Sequence, residues 1–225
     1  MSNEISFILR SIIDLLFVLL LFRFGKAGLV AAIVVNIILV STFGAKLVHL
    51  FGVTTNAGNV SYACVFFAAT LLNEYYGRRE AVLSVIIGFA SLVLFMTMSQ
   101  FVITMTGLPE TFTISQSMAV VFKAVPRVAF ASMVAYVCAS GVHIWLYDFI
   151  KKFTKQKQLW LRNIASALVG QAIDSVLFFS IAFAFLVPNI DLWQAMLAGF
   201  LLKVLVALIS TPFLYASKRT ACIDS

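Results

Sequence analysis

Charge is what this sequence has least of. Its 16 Lys and Arg and 9 Asp and Glu make up 11% of 225 residues, where a soluble domain carries about a quarter. An ordinary soluble domain is therefore excluded. With only four prolines and no Gly- or Ser-rich tract, collagen-like repeats, low-complexity linkers and disorder are excluded as well. Cys64, Cys138 and Cys222 stand far apart, two of them inside apolar runs. Neither a disulfide framework nor a Cys-x-x-Cys metal motif is present, and the cysteines read as small buried hydrophobes. The only histidines, His49 and His143, sit in different segments with no acid motif beside them, so no metal site is assigned. No Walker A sequence, Gly-x-Gly-x-x-Gly, His-Glu-x-x-His or Gly-x-Ser-x-Gly occurs, which removes an ATPase and leaves no nucleophile placed beside a base. The chain is read as a non-enzyme, with no catalytic residue and no cofactor.

Apolar length is what it has in abundance. Hydrophobic types reach 62%, with 22 Phe and a mean hydropathy of +1.05. At ~20 residues per membrane-spanning helix, the chain holds about six or seven spans and no separate soluble domain. Apolar windows place seven, at about 5–22, 28–51, 60–76, 80–103, 126–150, 160–187 and 192–216. Runs such as Ile12 to Leu21 lack the alternation of a barrel strand, and lipid leaves unpaired backbone groups unsatisfied. The fold class is therefore all-α: a single polytopic transmembrane domain over residues 1–225. Residues 114–124 read either as an amphipathic piece on the membrane surface or as a packed loop, and Pro126 suits the first turn of the next helix.

The net charge of +7 does not form one contiguous patch, so no nucleic-acid partner is assigned. Of the 16 basic residues, 11 fall on alternate loops: Arg23, Lys26, Arg78, Arg79, Lys151, Lys152, Lys155, Lys157, Arg162, Lys218 and Arg219. The opposite loops carry only Lys123. The positive-inside rule then puts the first set in the cytoplasm, the N-terminus outside and the C-terminus inside.

Arg10, Lys46, Arg127 and Lys203 remain within spans, together with Asp14, Glu74 and Asp174. An ionised group at mid-membrane costs several kcal/mol unless it is paired or hydrated. Asp174 and Lys203 lie near the centres of their segments, where snorkelling is hardest, so both are expected to face the bundle interior or a water-filled cavity. Arg127 and Glu74 lie near helix ends and can snorkel, and Lys46 fits either a charge partner or the outer headgroups. Asn163, Ser166, Gly170, Gln171 and Asp174 recur at three- and four-residue spacings, so one helix face is polar. Ser166 and Gly170 are explained by close packing. Gln171 and Asp174 are not: the carboxylate needs a partner, Lys203 or Arg127, or else a ligand donor.

The run Asn73-Glu74-Tyr75-Tyr76-Gly77-Arg78-Arg79, then Arg127 followed by Ala131-Ser132 and Ala135-Tyr136, then Arg162-Asn163-Ile164-Ala165-Ser166 with Gln171-Ala172-Ile173-Asp174, resembles the queuosine precursor transporter family, also called the vitamin uptake family. The resemblance covers about residues 28–216. It implies a six-helix core similar to the substrate-binding subunits of energy-coupling-factor transporters, with 5–22 as an added helix. It also implies import of 7-cyano-7-deazaguanine, or its aminomethyl relative, across the bacterial inner membrane for tRNA queuosine synthesis. The partners would be a small deazapurine and the lipid bilayer, with homo-oligomerisation left open.

A deazaguanine offers N1–H and an exocyclic amine as adjacent donors, and a carboxylate accepts both. Asp174 is the first candidate for that role and Glu74 the second. Gln171 suits the carbonyl edge, Asn73 stands beside Glu74, and Arg127, Lys203 or Lys46 sets the local charge. Phe178 and Phe179 suit stacking or plain packing. Thr70 and His143 depart from the family pattern, in which acids are common at both positions, and Ser140 replaces a frequent Gln. Two other readings stay open: a substrate-capturing subunit that needs a separate ATP-driven motor, and an intramembrane enzyme.

Overall fold

Small, aliphatic and aromatic side chains are mixed around every side of Asn59–Tyr75, and this segment becomes the spine of the molecule. In the computed structural model, which describes residues 2–44, 46–123, 126–155, 157–183 and 192–220, it forms helix α3, buried from Asn59 through Asn73. Ala63, Cys64, Ala68 and Ala69 let neighbouring backbones approach, which is how helices associate where lipid supplies no hydrophobic drive. Around it stand α1 (Asn3–Phe22), α2 (Gly25–Phe43), α4 (Arg78–Thr104), α6 (Pro126–Phe153) and α8 (Leu192–Thr220), all in contact with α3, while α7 (Leu159–Phe183) packs between α6 and α8. The outer faces are apolar and exposed, as at Leu9, Phe17, Ile86, Leu94, Leu201 and Leu208. They are the surfaces that lipid would cover.

Among the described residues, six helices are long and apolar enough to cross a membrane: Asn3–Phe22, Gly25–Phe43, Arg78–Thr104, Phe130–Phe153, Leu159–Ile181 and Met196–Lys218. The third predicted span, 60–76, coincides with α3, which at 17 residues is shorter and shielded by the others. Of the stretch 114–124, residue 124 is outside the described residues, and residues 114–123 lie in helix α5 (Phe112–Lys123), whose Phe112, Ile114 and Val120 are exposed. Gln100 Nε2 donates to the Phe122 carbonyl at 3.0 Å and docks it on α4. The described part of that stretch is a helix, not the packed loop that was the second reading. Pro126 opens α6, where its missing N–H costs nothing.

One expectation was wrong. The second span was placed at 28–51, but α2 ends at Phe43, and residues 47–56 form an antiparallel hairpin, β1 (Leu47–Leu50) with β2 (Val53–Asn56), in register Leu47↔Asn56 to Leu50↔Val53. Phe51 and Gly52 both have positive φ, 50° and 78°, as a two-residue type I′ turn requires. The hairpin caps one end of the bundle. Asn3 Nδ2 donates to the His49 carbonyl at 3.1 Å, the Phe51 amide donates to Glu4 Oε1 at 3.3 Å, and Leu50 packs in one cluster with Phe7, Val60, Ala63, Leu202 and Val206.

Helices α6 and α7 pack tightly at Gly170. A Cβ at Gly170 would lie 2.7 Å from Phe66 Cε1, 3.0 Å from His143 Cβ and 3.2 Å from the Ala139 carbonyl. At Gly77 the chain turns from α3 into α4 with φ +88°, a conformation that favours glycine.

Candidate functional site

Two ionic rungs cross the spine. The first joins α3, α7 and α8 near the N-terminal end of α3. Lys203 Nζ pairs with Asp174 Oδ2, and the Tyr62 hydroxyl donates to Asp174 Oδ1 at 2.5 Å. Lys203 Nζ also stands 4.6 Å above the centroid of the Tyr62 ring. All three side chains are buried. In such surroundings each charge depends on the other, because removing one partner leaves an uncompensated ion.

The second rung lies twelve residues along both α3 and α7, about 18 Å away at 1.5 Å rise per residue. Glu74 Oε1 accepts from Arg162 Nη2 at 2.5 Å. Its Oε2 accepts from the Tyr147 hydroxyl at 3.0 Å and pairs with Lys151 Nζ at 3.2 Å. Arg162 Nε donates to that same tyrosine oxygen at 3.2 Å, and Lys151 Nζ donates to the Glu74 carbonyl at 3.0 Å. Asn73 Nδ2 donates to the Ile144 carbonyl at 3.0 Å. Helices α3, α6 and α7 are thereby clamped together.

Between the rungs, Thr70 Oγ1 lies 3.0 Å from His143 Nε2, and the His143 ring meets Phe66 edge-on at a centroid distance of 4.9 Å. Phe66 in turn lies 5.3 Å from the Tyr62 ring. Thr70 and His143, two of the three departures from the family pattern, are therefore direct neighbours.

Most buried polar groups in a folded chain have partners, so the exceptions matter. Gln171, one turn before Asp174 on α7 and 1% exposed, has no protein partner for Nε2 or Oε1. Ser175 Oγ, His143 Nδ1, Asn73 Oδ1 and the Tyr136 hydroxyl are likewise buried and unpartnered. Gln171 and Ser175 flank Asp174 on the same helix, so the first rung is bordered by buried donors and acceptors without a protein partner. An apolar groove of about 370 Å³ between α4 and α6, lined by Val85, Ile86, Phe89, Met133, Val137 and Cys138 among others, presents no polar surface that could read a base.

The predicted residues thus separate into groups. Asp174, Lys203 and Gln171 come together at the first rung. Glu74 and Asn73 sit at or beside the second, where Glu74 is engaged on both oxygens rather than snorkelling. Lys46 was expected inside a helix, but it is an exposed loop residue between α2 and β1, and its backbone serves the hairpin by accepting from the Ala57 amide at 2.9 Å. Arg127 is the second residue of α6, and its side chain lies outside the described residues. Phe179 packs against Gly199 of α8, its ring 3.5 Å from a Cβ built there.

Tyr62 and Arg162 were not predicted as site residues. Arg162 was counted as a loop charge. The signal that reveals both is spacing: Tyr62 precedes Glu74 by twelve residues and Arg162 precedes Asp174 by twelve, so antiparallel helices bring the two ends level.

Residues 56–217, which include both rungs, match the family described as putative vitamin uptake transporters. The chain belongs to this family. It is also 35% identical over 223 residues to the probable queuosine precursor transporter of Bacillus subtilis strain 168, covering 97% of this chain and 96% of that protein. No solved structure matches it. As a member of this family with six long apolar helices, the protein is a multi-pass membrane protein. The match to the family begins inside β2, so α1, α2 and the first strand stand outside it.

Proposed function

We propose that this protein imports a queuosine precursor, 7-cyano-7-deazaguanine in the first instance, across the bacterial inner membrane, binding it at the Gln171–Asp174 face of α7. The substrate class rests on the name of the B. subtilis relative. The observation that carries the site is Gln171, a buried carboxamide with both polar atoms unpartnered, one turn from a buried carboxylate.

The chemistry of the two fits. The amide edge of a deazaguanine presents a carbonyl acceptor beside N1–H, and a carboxamide is its complement, Nε2 donating to the carbonyl and Oε1 accepting from N1–H. The exocyclic amine then falls to Asp174. A carboxylate has about four lone-pair sites, and Tyr62 and Lys203 use one each. This differs from the simplest sequence reading, in which Asp174 takes both donors alone. Tyr62 and Phe66, tilted at 47° to each other, offer aromatic surface beside it.

With the basic loops in the cytoplasm, the N-terminus is outside, the first rung lies in the outer half of the membrane, and the Glu74–Arg162–Lys151 clamp closes the cytoplasmic half. Transport then requires the two rungs to open alternately, α7 moving against α3, as expected for a site gated from either side.

The test is counterflow. Purified protein in liposomes loaded with unlabelled 7-cyano-7-deazaguanine should take up labelled compound in a saturable way that guanine does not compete away. Exchange no faster than in protein-free liposomes would overturn the proposal.

A further inference from the structure

An importer that concentrates its solute needs a coupled ion. Neither rung has a carboxylate to spare, since Glu74 and Asp174 are both ion-paired. Asp14 is not. It is the twelfth of the 20 residues of α1, hence near mid-membrane, and among the described residues no cation lies within ion-pair distance of it. Its one near cation, Arg10, is committed elsewhere. Nη1 donates to the Ala57 carbonyl at 2.5 Å and Nη2 to Ser61 Oγ at 2.8 Å, with the guanidinium 5.0 Å from the Phe43 ring centroid.

We propose that Asp14 is the proton-binding site that couples import to the proton gradient. This deepens the transport reading above and rests on it. The carboxyl is met by neutral polar groups. Ser61 Oγ donates to Asp14 Oδ2 at 3.2 Å, which serves the ionised form, and Cys64 and Asn36 stand beside the carboxyl. Asn36 Nδ2 donates to the Ala32 carbonyl at 3.1 Å, which fixes the orientation of the amide. Its Oδ1 is buried with no partner, an unused acceptor on a residue beside the carboxyl.

The other groups around α1 do not compete. Lys203 of α8 is held by Asp174. At the hairpin end Glu4 accepts from the Phe51 amide and the His49 carbonyl accepts from Asn3, and the Tyr75 ring of α3 meets α1 at Phe22. An ionised acid without a direct ion pair at this depth is expensive, so a proton can add to a carboxylate oxygen from the outer side and leave to the inner side.

Coupling follows from the chain itself. Consecutive residues of α3 serve the two sites, Ser61 to Asp14 and Tyr62 to Asp174. Protonation at one and substrate at the other therefore act on the same helical turn. A bound sodium ion is the weaker match, because the Arg10 guanidinium shares Ser61 Oγ with the carboxylate.

The test uses reconstituted full-length protein. Wild type under an inward proton gradient should accumulate 7-cyano-7-deazaguanine, and a protonophore should abolish this. Asp14→Asn should lose accumulation down to the level of protein-free liposomes yet keep counterflow, and Asp14→Glu should regain part of it. Independently of transport, dicyclohexylcarbodiimide, which attacks protonated carboxyls in apolar settings, should label Asp14 in the purified wild type, with labelling that declines as pH rises. Accumulation by Asp14→Asn equal to wild type, accumulation driven by sodium alone, or an unlabelled Asp14 would each overturn the assignment. Should wild type show no counterflow, the transport reading fails and the labelling alone decides Asp14. The labelling also decides it if Asp14→Asn does not fold.

Discussion

The Tyr62 hydroxyl hydrogen-bonds Asp174 Oδ1 at 2.5 Å while its ring lies beneath Lys203 Nζ at 4.6 Å. One side chain of the central helix therefore touches both members of a buried ion pair contributed by α7 and α8. The sharing gives the pair a partner whose position depends on α3, so any shift of α7 against α3 changes the environment of both charges. A buried ion pair is weak evidence for stability in its own right. Its use here is to register three helices against one another.

That dependence predicts an asymmetric mutational pattern. Lys203→Met leaves Asp174 buried without its counterion and should lower stability by about 3–5 kcal/mol. Asp174→Asn combined with Lys203→Met removes both charges and should recover most of that loss. Thermal unfolding in detergent measures both. If the double variant is no more stable than Lys203→Met, the two charges do not form a pair that matters to the fold.

Gln171 should behave in the opposite way. Its two amide atoms are buried and unpartnered, and each such atom carries a desolvation penalty of about 1–3 kcal/mol. Gln171→Leu should therefore leave the melting temperature unchanged or raise it. It should at the same time weaken saturable uptake of 7-cyano-7-deazaguanine by about 10²-fold or more, as when a site built on hydrogen bonds loses them. A variant that is more stable and transports with unchanged KM would remove Gln171 from the site.

Much of this was legible beforehand, for physical reasons. The spans and the charged loops follow from composition, because lipid permits little besides apolar helices. The polar stripe Asn163–Ser166–Gly170–Gln171–Asp174 follows from helical periodicity, and the need of Asp174 for a partner, with Lys203 one of two candidate cations, follows from the cost of leaving a charge alone in the membrane. What was not legible depended on distance along the chain. Lys46 and the segment after it read as helix because Leu47, Val48 and Leu50 extend an apolar run, and only the Phe51–Gly52 turn and the β-branched Val53-Thr54-Thr55 mark the hairpin. Arg162 looked like one more cytoplasmic charge, yet it is 2% exposed, because Glu74 and Tyr147 reach it from residues 88 and 15 positions away.

The tight seam at Gly170 gives a prediction about packing alone. Alanine there brings a Cβ to 2.7 Å from Phe66 Cε1 and 3.0 Å from His143 Cβ, and neither neighbour is the loose end of a flexible chain. Gly170→Ala should destabilise the protein by about 1–3 kcal/mol, the usual range for overpacking. Pairing it with Phe66→Leu should restore part of the loss. Equal melting temperatures for Gly170→Ala and wild type would show that α6 and α7 are not this close.

The clamp at Glu74 is the last relationship that can be tested by itself. Glu74→Gln keeps the shape but removes the charge facing Arg162 and Lys151, so a guanidinium that is 2% exposed meets a neutral amide where it had a carboxylate. Such a cation draws in water or moves, so α3, α6 and α7 should part at that end. Ser166, one turn beyond Arg162 on α7 and fully buried, is a suitable reporter. With Cys64, Cys138 and Cys222 replaced by serine, Ser166→Cys should react slowly with a membrane-impermeant maleimide applied from the cytoplasmic side, and markedly faster when Glu74→Gln is added. The same pair of variants labelled from the opposite side should show no gain, because the Asp174–Lys203–Tyr62 rung still closes that route. A gain from both sides would mean that the bundle has loosened generally rather than opened at one gate.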